Sequence, residues 1–423
     1  MTRRPPELAL YAAVTALVEP LAGAALRRRA ARGKEDAARL GERLGRATQR
    51  RPAGPLVWLH AVSVGESMSL LPLIEALHER EPALNLLVTS GTRTSAELLA
   101  RRLPEGVIHQ YAPVDAPGAV ARFLGHWRPD AGLLVESELW PNLILAARRR
   151  GVRLALLSAR MTDASAKGWA RVPAAARTIL EAFDLVLAQE AATETRLTEL
   201  GAKVGPRLNL KLVGAPLPCD TAELERMRAA IGARKVVLAA STHAGEDATI
   251  ARAFEWADLG DTLLVIVPRH PERGRAVAQV LAGEGLAAGL RSRGERPHAA
   301  MQAYVADTLG ELGLFFRLAD VVVMGGAFEL GIGGHNPLEP ARLGSAIITG
   351  THMFNAQETY AEMFAEAAAI EATDGEHLAR HMRGLIDNPR IARRFGEAAQ
   401  AYADRQGRAL DEALERLAPL LPA

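Results

Sequence analysis

From residue 56 onward the chain alternates two kinds of segment. Short, unbroken apolar runs at 56–62, 84–89, 107–111, 131–135, 153–157 and 185–188 read as strands buried on both faces. Between them, residues 70–79, 95–102, 117–124, 141–149 and 190–200 repeat their apolar positions every three to four residues and read as helices. The rhythm breaks at Gly214-Ala215-Pro216-Leu217-Pro218 and restarts with runs at 236–240, 263–267, 303–305, 321–324 and 346–349. This alternation predicts two consecutive α/β units, each a doubly wound parallel sheet, facing a cleft. The expected divisions are an N-terminal region 1–50, a first unit 51–213, a linker 214–220, a second unit 221–390 and C-terminal helices over 391–423 that could brace the first unit.

Ahead of this pattern, residues 8–26 are rich in Leu, Val and Ala, with Tyr11, Val14, Leu17, Val18 and Leu21 at helical spacing. Glu19-Pro20 interrupts the run after 11 residues, short of the ~20 that span a bilayer. The expectation is a helix in or on a membrane interface, anchored by Arg27, Arg28 and Arg29. A helix packed on the protein's own surface and a cleaved leader ending near Ala22-Gly23-Ala24 are the alternatives. Charge points to an anionic partner, membrane or nucleic acid: residues 1–51 hold twelve Arg and Lys against five acids, a net +7 that leaves −5 for the remainder. A basic end beside an apolar stretch suits an anionic surface.

Composition adds little beyond exclusions. Of 423 residues, 49% are apolar and 24% charged, an ordinary globular balance. The single cysteine, Cys219, rules out a disulfide framework within the chain.

Candidate chemistry lies at strand ends, where open α/β sheets bind ligands. After the first strand come Ser63, Gly65 and Glu66, at the turn into a helix; Glu66 is the candidate general base. The strand at 131–135 ends in Glu136-Ser137-Glu138-Leu139-Trp140-Pro141-Asn142, and that at 153–157 in Ser158-Ala159-Arg160. Glu136, Glu138 and Arg160 are candidates to line the cleft that Glu66 faces, against helix capping and ion pairing for the two acids.

In the second unit, Ser241-Thr242-His243 and Arg269-His270 each follow a strand. Gly325-Gly326-Ala327-Phe328-Glu329-Leu330-Gly331-Ile332-Gly333-Gly334-His335-Asn336-Pro337-Leu338-Glu339 follows another. Gly325, Gly326 and Gly334 let a backbone approach a ligand closely. Asn336 is an expected helix N-cap, Pro337 the first helical residue and Glu339 the partner of a capping box, making an anion site at a helix N-terminus. Arg269 suits a phosphate; Glu339 is a ribose ligand or a capping acid, and His335 a ligand or a local hydrogen bonder. The spacing matches neither G-x-G-x-x-G nor a Walker loop, and neither D-x-D nor H-E-x-x-H occurs. No metal and no cofactor is expected.

These segments together resemble the 3-deoxy-D-manno-octulosonic acid (Kdo) transferases. The resemblance rests on residues 58–67, Val135-Glu136-Ser137-Glu138-Leu139-Trp140-Pro141-Asn142-Leu143-Ile144, Ser241-Thr242-His243-Ala244-Gly245-Glu246, Val267-Pro268-Arg269-His270-Pro271-Glu272-Arg273, Asp307-Thr308-Leu309-Gly310-Glu311-Leu312 and Gly333-Gly334-His335-Asn336-Pro337-Leu338-Glu339, in that order. It implies a GT-B fold of two Rossmann-like domains, with CMP-Kdo held by the second and a lipid A precursor by the first. It further implies Glu66 as catalytic base, Ser241, Arg269, Asn336 and Glu339 in donor-binding motifs, and a membrane anchor on the cytoplasmic face of the inner membrane. The interdomain stretch departs from the family's Gly-Asn/Ser-Leu-Lys-Phe-Asp, keeping only Gly214, Leu217 and Asp220 and lacking its lysine there. A nucleotide-sugar 2-epimerase on the same fold is the alternative enzyme. A non-catalytic lipid- or nucleic-acid-binding protein is the third reading; the basic end lacks the interleaved aromatics of a single-strand binder, so no nucleic acid partner is expected.

Overall fold

The computed structural model describes residues 4–214 and 216–422. Met1, Thr2, Arg3, the linker residue Ala215 and the terminal Ala423 lie outside the described residues. The chain divides into two compact units, Met1–Val213 with Arg408–Ala423, and Gly214–Gly407.

The first unit is built on β1 (Leu56–His60), β2 (Asn85–Ser90), β3 (Ile108–Tyr111), β4 (Ala131–Val135), β5 (Arg153–Ala159) and β6 (Leu185–Ala188), in the order β3-β2-β1-β4-β5-β6. Every pairing is parallel. Alternation along β1 sends Leu56 and Trp58 into one core layer, with Phe123 and Trp127, and Val57 and Leu59 into the other, with Leu70 and Ile74. Both faces are therefore covered, as a parallel sheet requires.

The second unit carries β7 (Val236–Thr242), β8 (Leu263–Pro268), β9 (Ala288–Leu290), β10 (Ala303–Val305), β11 (Val321–Met324), β12 (Ala346–Thr349) and β13 (Ile370–Glu371), in the order β13-β12-β11-β7-β8-β10-β9. It too is parallel throughout its pairings. The order reverses between β1 and β4 in the first unit and between β7 and β11 in the second. Such switch points open a crevice at the strands' C-terminal ends.

The helices that bear on the site are α1 (Pro6–Ala30), α2 (Val64–Arg80), α3 (Pro117–Trp127), α4 (Pro141–Arg149), α5 (Glu246–Ala257), α6 (Leu338–Ala341) and α7 (Pro389–Leu417). Two of them differ from expectation. α1 is one helix of 25 residues, unbroken at Glu19-Pro20. The Glu19 carboxylate turns inward, accepting from the Gly118 backbone N–H of α3 at 2.8 Å and pairing with Arg122 at 2.8 Å. Pro20 points outward, where losing one backbone donor is tolerated. A Cβ at 118 would meet the Glu19 carboxylate, so a larger residue there would displace that contact. The C-terminal helices expected over 391–423 are likewise one 29-residue helix, α7, followed by a short turn at Ala418–Leu420. Its last turns add Ala413, Leu414 and Leu417 to the core of the first unit.

Candidate active site

Ser63 is the N-cap of α2, its hydroxyl accepting from the Glu66 N–H at 3.3 Å. The Glu66 carboxylate reaches back, taking the Ser63 hydroxyl at 2.8 Å on Oε1 and the Val62 N–H at 2.7 Å on Oε2. This is a capping box shifted by one residue. Each carboxylate oxygen has a further lone pair, so capping leaves Glu66 able to accept a proton from outside. Burial raises its pKa above the ordinary carboxylate range; the Val62 and Ser63 hydrogen bonds oppose this, and the nearby charges of Glu138 and Glu136 add to it. A base so tuned works closer to neutral pH than a solvated carboxylate.

Glu136 and Glu138 follow β4, across the switch point from β1. Glu136 is buried and sits at φ 59°, a left-handed conformation sparsely adopted outside glycine. Lys211 Nζ lies 2.6 Å from Glu136 Oε1. The contact is an ion pair set off the hydrogen-bonding direction, since that oxygen has no aligned donor. Glu138 accepts from the Trp140 indole N–H and lies 3.8 Å from Nε2 of the buried His60, whose Nδ1 meets Thr89 Oγ1 at 2.9 Å. Ser137 Oγ donates to the Arg160 carbonyl, while the Arg160 side chain is exposed. Gly65 is exposed on the first turn of α2. Ser63, Gly65, Glu66, Glu136 and Glu138 thus gather at one switch point, with Arg160 at the end of the neighbouring β5.

Lys211 was not among the sequence candidates. The lysine sought within 214–220 stands upstream, in Asn209-Leu210-Lys211, and the Leu210 N–H is fastened to Ser158 Oγ at 3.3 Å. The Asn-Leu-Lys triplet was the available signal.

In the second unit, Ser241 lies within β7 rather than after it, at φ 59° where the β7–β8 register shifts. That bulge turns its carbonyl toward the ring of His335. His335 also accepts or donates at Nε2 across 2.9 Å to His243 Nε2, and the rings stack at 5.1 Å between centroids. Burial, then His243 and Arg269, hold His335 down at about 4, so it is neutral at physiological pH. His243 is lowered too, first by burial. His270 sits 5.9 Å from His243 in ring-centroid distance, exposed. Thr242 is buried, its hydroxyl donating to Asp247 at 2.7 Å, so it shapes the site from below. Arg269 is exposed at the end of β8 and close enough to lower the pKa of His243, His335 and Glu339.

The glycine-rich loop differs from expectation at its end. α6 is a single turn, Leu338–Ala341, with Pro337 as its N-cap rather than its first residue. Asn336 Oδ1 accepts from the Leu338 N–H at 3.0 Å. One turn sums few peptide dipoles, so the helix-terminus case for an anion site gives way to the Arg269 side chain. Glu339 is raised by burial, opposed by Arg342 and Arg269, which makes it a sequestered carboxylate rather than a solvated cap. Gly325 and Gly326 pack where side chains cannot: a Cβ would lie 2.8 Å from the Ser241 carbonyl and 2.8 Å from the His335 ring respectively. Gly334 donates to the Gly326 carbonyl at 2.7 Å.

Glu246, fully buried at the start of α5, is the organiser that the candidate residues omit. Its carboxylate accepts from the His243 N–H at 2.8 Å, the Gly326 N–H at 2.8 Å and the Phe328 N–H at 2.9 Å, tying the loops after β7 and β11 together.

Two parallel Rossmann-like units, each with polar strand ends at its switch point, define a GT-B type glycosyltransferase fold. Among solved structures, a glycosyltransferase from Rickettsia africae ESF-5 is similar at TM-score 0.61, covering 87% of this chain and 99% of its own at 12% identity. The UDP-GlcNAc 2-epimerase from Neisseria meningitidis is similar at TM-score 0.58, 86% and 100% coverage and 12% identity, a likeness of fold alone. The family model for 3-deoxy-D-manno-octulosonic-acid transferase (kdotransferase) matches residues 38–213. A probable mitochondrial 3-deoxy-D-manno-octulosonic acid transferase of Arabidopsis thaliana is 38% identical over 81% of this chain and 79% of its own length. The 3-deoxy-D-manno-octulosonic acid transferase of Bordetella pertussis is 36% identical over 89% of this chain and 90% of its own. The chain belongs to the 3-deoxy-D-manno-octulosonic acid transferase family, and is a Kdo glycosyltransferase.

Proposed function

We propose that the protein transfers Kdo from CMP-Kdo to a hydroxyl of a lipid A precursor in lipopolysaccharide biosynthesis, with inversion, Glu66 serving as general base. The observation that carries this reading is the Glu66 carboxylate, fixed by Ser63 and Val62 and raised in pKa by burial and by two neighbouring carboxylates. Glu66 takes the proton of a glucosamine hydroxyl as its oxygen attacks the anomeric carbon of Kdo, and CMP leaves from the opposite side. Ser63 holds the carboxylate, while Glu136, Glu138 and Arg160 line the acceptor side. Exposed Val64, Met68 and Trp140 beside the acids suit an acceptor that carries acyl chains.

The second unit would hold the donor. Arg269, with forked donors, meets the phosphate of the departing CMP, a leaving group that needs charge stabilisation. His243, His270, His335, Asn336 and Glu339 surround it, on loops set by Glu246.

α1 supports a membrane site. It is long and apolar enough to cross a bilayer, yet it lies along the first unit through Leu8, Tyr11, Thr15, Glu19 and Leu26. Its other face exposes Leu10, Val14, Leu17, Val18 and Leu21 and ends in Arg27, Arg28 and Arg29. A helix held this way lies in the interface, here at the cytoplasmic face of the inner membrane.

Incubation with CMP-Kdo and a tetra-acylated lipid A precursor, followed by mass spectrometry of the lipid, tests the assignment and counts the sugars added. Glu66→Gln should abolish the mass increment while CMP-Kdo binding persists; substantial turnover by that variant would sink the role of Glu66.

A further inference from the structure

The inner face of α1 does more than lie against the protein. Its polar residues end on the segment that carries Glu136 and Glu138. Tyr11 Oη donates to Asp115 Oδ2 at 3.0 Å. The same Asp115 carboxylate caps α4 from outside, accepting from the Asn142 N–H at 3.1 Å and the Leu143 N–H at 2.8 Å. Asn142 Nδ2 donates to Thr15 Oγ1 at 2.9 Å and to the Asp115 carbonyl at 2.8 Å, and Arg4 reaches Asn142 Oδ1 at 3.4 Å. Thr15 in turn donates to the Tyr11 carbonyl at 2.8 Å.

These bonds set the start of α4 against α1. α4 provides no N-cap side chain of its own: its N-cap is Trp140, without a capping hydrogen bond. The orphan donors at Asn142 and Leu143 depend on Asp115, and Asp115 is shared with Tyr11. Four residues before Asn142 stands Glu138, and six before it stands Glu136, on a stretch that starts in strained, left-handed backbone. Such a stretch holds its geometry only when both ends are fixed. β4 and the Lys211 ion pair fix one end; the Tyr11–Asp115–Asn142–Thr15 set fixes the other.

We infer that α1 is a positioning element of the active site, in which Tyr11 and Thr15 latch the loop bearing Glu136 and Glu138 so that those carboxylates sit beside Glu66. The outer face of α1 meets the membrane, and the inner face sets the carboxylates that tune the base. Burial also raises the pKa of Asp115, consistent with a cap closed off from water. The inference rests on the transfer reaction proposed above.

The test uses the full chain, with the lipid acceptor dispersed in non-ionic detergent so that partition into vesicles no longer limits the rate. Tyr11→Phe with Thr15→Val removes both hydroxyls and should lower kcat on the order of tenfold, as small misplacements of catalytic groups do. The KM for CMP-Kdo should stay unchanged, the acid limb of the pH profile should move, and amide exchange over 136–143 should accelerate. Thr15→Ser, which keeps the hydroxyl, should restore the Thr15 contribution. Leu10→Ser with Leu17→Ser on the outer face should weaken sedimentation with phosphatidylglycerol vesicles while exchange over 136–143 stays slow. Unchanged kcat, pH profile and exchange in the Tyr11→Phe, Thr15→Val protein would overturn the latch. If the unaltered protein fails to transfer Kdo, the functional reading falls, and the exchange measurement alone still decides whether α1 holds the loop.

Discussion

In the mechanism proposed above, Glu66 takes two roles that sequence reasoning treats as rivals, cap and base. A carboxylate at the third position of a helix is most simply a cap, and Glu66 is one; the cap orients it without using its remaining lone pairs. Its raised pKa makes the folded protein resist its ionisation, so its contribution to stability is full at low pH and is lost as pH rises through the raised value. If Glu66 is the base proposed above, the same shift should place the acid limb of kcat/KM above the ordinary carboxylate range, because that limb follows ionisation of the free base. Glu138→Gln removes a like charge and should move the limb to lower pH. Lys211→Met leaves Glu136 uncompensated and should move it higher. A pH profile unmoved by both would show that Glu66 does not feel its neighbours. The Lys211 change should also cost about 1–2 kcal/mol in denaturant unfolding, below the loss for a fully buried pair because its side chain is 40% exposed.

Among the elements, the loops of the second unit depend on Glu246. Glu246→Gln keeps one acceptor oxygen for three backbone donors and should cost about 1–3 kcal/mol while raising the KM for CMP-Kdo. An unchanged KM would separate those loops from donor binding. Buried parallel strands were the most legible elements, since both faces are apolar and the run has no gaps: β4, β6, β10, β11 and β12 fall where the pattern puts them. The edge strands β9 and β13, three and two residues long, carry too few positions to show a period. Pro20 misled because a proline's effect depends on which side of the helix it occupies. The position of Glu66, Glu136 and Arg269 at strand ends was legible from the pattern alone. Glu246 and Lys211 were not, because their partners are backbone amides and a carboxylate distant in sequence.

At the scale of the whole molecule, the first unit is made from both ends of the chain. Leu417, fully buried, belongs to its core, together with Leu414 and Ala413. Leu417→Ala should cost about 2–5 kcal/mol, read as a lowered unfolding midpoint of the first unit. The charge division has a matching logic: the basic surplus is confined to residues 1–51, in the same unit as the exposed apolar face of α1.

That division of the first unit into two stretches of chain has a consequence for how the protein is born. Residues 214–407, which form the whole second unit, are translated between the two parts of the first. At roughly 5–20 residues per second, that interval lasts about 10–40 s. Throughout it the first unit lacks Ala413, Leu414 and Leu417 from one of its core layers, while its apolar α1 has already been made. The last turns of α7 then complete the older half, so residues made after the second unit finish the part begun before it.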